Sequence, residues 1–198
     1  VPLYFLSKLA SEHVTVVLSG EGADELFGGY AWYETTPTME KYKKLPNFIR
    51  RPVSQVCKSL PKNRITNFLV KGGQKVEEWF IGQAKVFEED HALRVLKNEY
   101  KNGPSVGSIT KKVYDKVKDQ DDVTKMQYLD MNLWMPGDIL LKADKMSSAH
   151  SIELRVPFLD KEVMALASQI PVKYRVNMEN SKYALRIAAR DTLPSEWA

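Results

Sequence analysis

The stretch Val14-Thr15-Val16-Val17-Leu18, followed at once by Ser19-Gly20-Glu21-Gly22, most constrains what this chain can fold into. Four of its first five residues are apolar and three are valines, the pattern of a strand buried on both faces of a parallel sheet. A short helical pattern follows the turn, with Ala23, Leu26 and Phe27 on one face. In an open α/β sheet, ligands sit outside the carboxyl ends of the strands. A helix starting there aims unpaired backbone N–H groups at whatever binds, which favours phosphate or carboxylate. Gly20 and Gly22 let the backbone approach a ligand where a Cβ would collide.

Glu21 and Asp24 add two carboxylates to the same turn. Beside phosphates, that negative charge is explained by a cationic reactant or a metal: Mg²⁺ takes one or two carboxylates together with phosphate oxygens. As purely local structure, the same residues complement the positive end of the helix, each contributing about 0.3–1 kcal/mol. The local pattern admits both readings.

Residues 19–30, Ser-Gly-Glu-Gly-Ala-Asp-Glu-Leu-Phe-Gly-Gly-Tyr, resemble the second nucleotide-binding motif of glutamine-dependent asparagine synthetases. A second block, Met135-Pro136-Gly137-Asp138-Ile139-Leu140-Leu141-Lys142-Ala143-Asp144-Lys145-Met146-Ser147, agrees with that family. So does a third, Glu153-Leu154-Arg155-Val156-Pro157-Phe158-Leu159-Asp160. The resemblance implies an α/β fold: a fragment of a doubly wound, adenine-nucleotide alpha-hydrolase-like (pyrophosphate-loop ATPase) domain, mostly helical in the part present. Residues 1–198 would be one partial synthetase domain. The family's Ser-Gly-Gly-x-Asp-Ser loop would lie upstream, its catalytic lysine downstream and its glutaminase cysteine elsewhere, so the expectation is a fragment inactive alone.

The implied reaction is the ATP-dependent adenylation of aspartate to β-aspartyl-AMP, then attack by ammonia from a glutaminase domain to give asparagine. The implied cofactors are ATP and Mg²⁺. Ser19, Gly20 and Gly22 would contact the nucleotide, Asp24 would hold Mg²⁺, and Glu21 would handle the ammonia proton. Lys182 would border the nucleotide on the final helix. The resemblance extends to enzymes that close a β-lactam ring, in which a tyrosine stands at the position of Glu21; Glu21 favours the asparagine-forming branch. An amidotransferase acting on another carboxylate, and a non-catalytic binding module, stay open as alternatives. A homodimer is compatible with the family.

Composition sets outer bounds. The 198 residues suit one globular domain, with 43% hydrophobic and 27% charged residues. No apolar run approaches the ~20 residues of a membrane helix, no leader pattern opens the chain, and Cys57 is alone, so a reducing cytoplasm is expected. His13, His91 and His150 lack metal-ligand spacing and read as structural or surface residues. Net charge is +4, yet Lys41 to Lys75 holds ten Lys or Arg and no acid. That run reads as solvated helical faces, or a patch docking on an acidic neighbour, rather than as a nucleic-acid site, because no recognised nucleic-acid fold accompanies it. It could also help attract an anionic substrate.

Residues 31–120 read as short helices interrupted by Pro37, Pro46, Pro52 and Pro61, with Gly72-Gly73 separating a helix near 63–71 from one near 75–89. Trp79, Phe80 and Phe87 read as core. A helix capped by Asp122 carries Val123, Met126, Leu129, Asp130 and Leu133, and Met135-Pro136-Gly137 should break it before Asp138 caps the next. Lys142, Asp144 and Lys145 read as structural salt bridges or caps. Arg155 suits a buried ion pair with Glu153 or a motif carboxylate. Asp160 should cap a helix burying Val163, Leu166, Ala167 and Ile170, and the last helix, 181–191, should turn Ala184, Ile187 and Ala188 inward.

Overall fold

A computed structural model describes residues 2–177 and 180–194. In chain order its elements are α1 (Pro2–Ser11), β1 (Val16–Leu18), α2 (Ala23–Phe27), α3 (Pro37–Lys43), α4 (Asn47–Lys58), α5 (Arg64–Gly73), α6 (Glu89–Val95), α7 (Val106–Tyr114) and α8 (Asp122–Asn132). Then come α9 (Leu141–Ser148), β2 (Glu153–Arg155), α10 (Lys161–Gln169), α11 (Val172–Arg175) and α12 (Tyr183–Ala189). Two compact units result, Val1–Tyr33 with Asp130–Ala198, and Glu34–Leu129. Among the described residues, no helix is long and apolar enough to cross a membrane.

In the first unit, β1 and β2 pair in parallel, with Val16 opposite Glu153 and Leu18 opposite Arg155. Glu153 N donates to Thr15 O and Ser19 N to Arg155 O, both at 2.8 Å, which extends the ladder at each end. A small parallel sheet in a mostly helical chain is thus borne out. The expected burial of both faces is not: Val16 is 52% exposed and Leu18 77%. Among the described residues β1 has β2 as its one strand neighbour, Val17 is half-buried, and it is the face carrying Val16 and Leu18 that lacks a covering layer.

The core of this unit is Leu26, Phe27 and Ala167, with Phe158, Leu159, Val163, Met164 and Leu185 packed around them. Ala23, Leu26 and Phe27 are all buried, as the spacing requires. Asp160 caps α10, its Oδ1 accepting from Glu162 N at 2.8 Å. Three inward assignments are corrected: Leu166 is 66% and Ile187 41% exposed, and Ala188 is exposed too. These residues face an apolar groove of about 540 Å³ bounded by α10, α11 and α12, while Leu185 takes the core position.

The Pro136-Gly137 break is also corrected. Met135–Leu140 winds as a wider π turn that runs directly into α9, and Asp138 lies within it instead of capping a new helix. Proline has no N–H to give the turn before it, and a wider turn absorbs that loss without ending the helix. Arg155 does meet Glu153 at 2.9 Å, but both side chains are more than half exposed, so the pair is a surface one. Lys142, Asp144 and Lys145 are exposed.

In the second unit, Pro37 opens α3 behind its cap Thr36, and Pro46 precedes α4. Pro52 sits inside α4 instead of interrupting it. Gly72 and Gly73 form the last turn of α5, where a Cβ on Gly72 would lie 2.6 Å from the Tyr42 ring. They serve close packing, not separation. Residues 75–89 hold only the single turn Val76–Glu78 before α6 begins. Phe80 is buried and its carbonyl accepts from Tyr114 Oη at 2.8 Å, whereas Phe87 is 56% exposed and does not join the core. Asp121, not Asp122, caps α8, its Oδ1 accepting from Thr124 N at 2.9 Å. Asp122 instead pairs with Lys43 at 2.5 Å.

Candidate functional site

The candidate residues gather where β1 ends. Ser19 is the last residue held by the sheet, and the chain then turns through Gly20, Glu21 and Gly22 into α2. Gly22 has φ of 93°, and a Cβ there would lie 2.8 Å from Leu159 Cγ. Its freedom is therefore spent inside the protein, against the third motif block. Gly20, by contrast, has open space where its Cβ would be. Glu21 stands partly exposed in the turn, with no hydrogen bond or ion pair to another candidate residue among those described.

Asp24 is the most fully positioned of the candidates. Its backbone carbonyl accepts from Gly28 N at 3.0 Å and Gly29 N at 2.9 Å, so the Gly-Gly turn closes beneath it. Gly29 presses against the carboxylate: a Cβ there would lie 2.6 Å from both Asp24 Cγ and Lys182 Cε. Lys182 Nζ sits 3.0 Å from Asp24 Oδ1, each side chain about a third exposed. Lys182 holds this position from a left-handed backbone, φ 54° and ψ 40°, at the start of α12. For a residue with a Cβ that conformation costs about 1–3 kcal/mol, which the surrounding structure must offset.

Directly behind Asp24 lies a polar network that sequence reasoning missed. Glu25 is only 2% exposed, and its Oε1 accepts from Tyr30 Oη at 2.7 Å. Trp134 Nε1 donates to the same Tyr30 oxygen at 3.4 Å. Tyr33 Oη donates to the fully buried Asp130 at 2.6 Å, and the two tyrosine rings meet edge to face. Burial pushes the Glu25 carboxyl above its ordinary value, the Tyr30 hydrogen bond opposes this, and the charges of Asp24 and Asp130 add to the rise. Tyr30 and Tyr33 are both raised, first by burial and then by the carboxylates they bond. The available signal was the Tyr30/Tyr33 spacing together with a carboxylate among otherwise buried positions of α2.

His13 and His91 are exposed, and His150 packs against the Tyr4 ring. Cys57 is buried in α4. Among the described residues, no three His, Cys, Asp or Glu side chains cluster as a metal site.

The asparagine synthase family model matches residues 1–198. The chain belongs to the asparagine synthase family. It is 43% identical over 195 residues to glutamine-hydrolysing asparagine synthetase 1 of Bacillus subtilis, a match covering 98% of this chain and 31% of that protein. A putative glutamine-hydrolysing asparagine synthetase of Mycobacterium tuberculosis is 41% identical over 196 residues, 98% of this chain and 30% of the relative. The chain thus spans less than a third of the length of these asparagine synthetases, and the resemblance carried by the three motif blocks is borne out.

Proposed function

We propose that this chain is the part of a glutamine-hydrolysing asparagine synthetase that activates aspartate with ATP and transfers ammonia to it. The observation that carries this reading is Asp24 paired with Lys182 and seated on Gly29, in the turn at the carboxyl end of a parallel strand. That is where an α/β sheet takes its ligands. The bare face of β1 that carries Val16 and Leu18, together with the apolar groove, suits a portion of a larger, doubly wound domain.

The aspartate β-carboxylate oxygen attacks the α-phosphorus of ATP, the bond to the β-phosphate oxygen breaks, and pyrophosphate leaves. Ammonia nitrogen then attacks the acyl carbon of β-aspartyl-AMP, AMP departs with the bonding electrons, and the ammonium nitrogen sheds a proton. Ser19, Gly20 and Gly22 form the turn that would receive the nucleotide, and Lys182 supplies a cation for its phosphates. Asp24 would hold Mg²⁺ once Lys182 turns from it to the phosphates: a single hard carboxylate suits an ion that takes most of its oxygens from phosphate and water. When bound, that ion neutralises charge on the leaving pyrophosphate. Glu21, partly exposed beside the turn, takes the proton from the attacking nitrogen.

ATP–pyrophosphate exchange in the full-length protein tests the reading. Exchange that requires aspartate is the expected result. Exchange driven by a different carboxylate would move the substrate while keeping the adenylation, and no exchange with Mg²⁺ and aspartate present would overturn the proposal.

A further inference from the structure

The basic run from Lys41 to Lys75 has no role in the reaction above, and the fold of the second unit suggests one. α4 and α5 approach so closely that a Cβ on Gly73 would lie 2.5 Å from Arg50 O. Beside this contact opens a cavity of about 340 Å³ whose lining contains no aliphatic or aromatic side chain. Lys43, Arg50, Arg51, Lys75, Lys118 and Lys125 face it, against two carboxylates, Glu77 and Asp122.

Those carboxylates cancel only part of the charge. Lys125 pairs with Glu77 at 2.7 Å and Lys43 with Asp122 at 2.5 Å, while Arg51 is taken by Glu78 at 2.9 Å. Arg50 keeps its charge, because its guanidinium donates to neutral acceptors, the carbonyls of Leu45 and Gly72 and the side-chain oxygen of Asn47. These bonds fix it without neutralising it. Lys75 and Lys118 enter no ion pair among the described residues. Nearby, burial pushes Lys71 below its ordinary pKa, and the charge of Lys43 adds to this.

We propose that this cavity binds a compact phosphate-bearing polyanion, held by Arg50, Lys75 and Lys118. A concave site lined by one sign of charge focuses the field and concentrates counter-ions. Guanidinium and ammonium groups make strong charge-assisted bonds to phosphate oxygens. A volume of about 340 Å³ lies near the lower end of small-molecule pockets, roughly 300–1,000 Å³, and so suits a single small molecule. With no aromatic face to stack a base, recognition rests on the phosphates and not on a nucleobase.

Calorimetric titration of the full-length protein with inorganic diphosphate, without metal, tests this. Binding should weaken by about tenfold or more in the double variant Lys75→Ala, Lys118→Ala. It should persist in Lys182→Ala, which alters the nucleotide turn of the proposed synthetase site. Both pocket lysines are exposed, so the double variant should melt with the wild type. A parallel titration with ADP should give equal or weaker affinity. Absent wild-type binding, an unaffected double variant, or loss of binding in Lys182→Ala alone would overturn the proposal. So would ADP binding more tightly than diphosphate independently of the two lysines. A short single-stranded RNA that outcompetes diphosphate at these lysines would overturn it too, in favour of a nucleic-acid surface.

Discussion

An alanine at position 29 separates the site from the fold that carries it. Its methyl group would lie 2.6 Å from Asp24 Cγ and from Lys182 Cε, and ordinary contact begins near 3.4 Å. Asp24 Oδ1 would be closer still, so the carboxylate must swing away by well over about 1 Å and the lysine stem by about 0.8 Å, or the two must separate. Both are side-chain ends free to rotate, so the melting temperature should drop by no more than about 2–4 °C, the equivalent of ~1 kcal/mol in a domain this size. A misplacement of about 1 Å can nevertheless cost a reaction about 10²-fold. In the full-length protein, on the proposed reading, ATP–pyrophosphate exchange should fall by about that factor while the fold persists. Gly28→Ala provides the contrast: at φ 75° its Cβ would lie 2.9 Å from the Arg175 carbonyl oxygen, which is backbone and cannot rotate away. That variant should lose about 1–2 kcal/mol from the left-handed conformation alone, visible in urea unfolding. Gly29→Ala with wild-type exchange would refute the placement of Asp24, and Gly29→Ala as unstable as Gly28→Ala would refute the rotation argument.

Glu21→Gln should lower asparagine formation by about 10²–10⁴-fold while leaving ATP affinity near wild type, and an unchanged synthesis rate would remove Glu21 from proton transfer. Burial holds the Glu25 carboxyl above its ordinary value of 4.5, so the native state binds the extra proton. Its stabilising contribution is complete below the unfolded pKa and is lost as pH rises through the folded one. Glu25→Gln, which keeps an acceptor for Tyr30, should flatten that decline in urea titrations run upward in pH from the ordinary carboxylate range, and parallel curves for variant and wild type would contradict it. Tyr33→Phe removes a donor 2.6 Å from the fully buried Asp130 and should cost about 1–3 kcal/mol, measurable by thermal unfolding.

What the sequence made legible was local. The strand's end at Leu18, the Ser-Gly-Glu-Gly turn, the inner face of α2 and the Asp160 cap each depend on residues within a few positions and appear where expected, while the strand begins at Val16 and not at Val14. What it hid depends on distant partners. Val16 and Leu18 look buried by composition, but burial is set by neighbouring layers that five residues do not specify. Pro136-Gly137 has the chemistry of a break, and only the π turn shows how the helix continues. Glu25, Tyr33 and Asp130 carry no shared periodicity, because Tyr33 and Asp130 are 97 positions apart. The pairing of Asp24 with Lys182 depends on a left-handed lysine that no propensity favours.

The parallel pairing of β1 with β2 also sets a timetable for synthesis. Val16 leaves the ribosome long before its partner Glu153, and at ~5–20 residues per second the gap of roughly 140 residues lasts about 7–30 s. Glu34–Leu129 is one continuous segment and can complete its own folding in that interval. Until residues 153–155 are made, the edge of β1 that β2 will take is open, the kind of segment that other chains can capture. Slower elongation between β1 and β2 should lengthen the time for which that edge stays open.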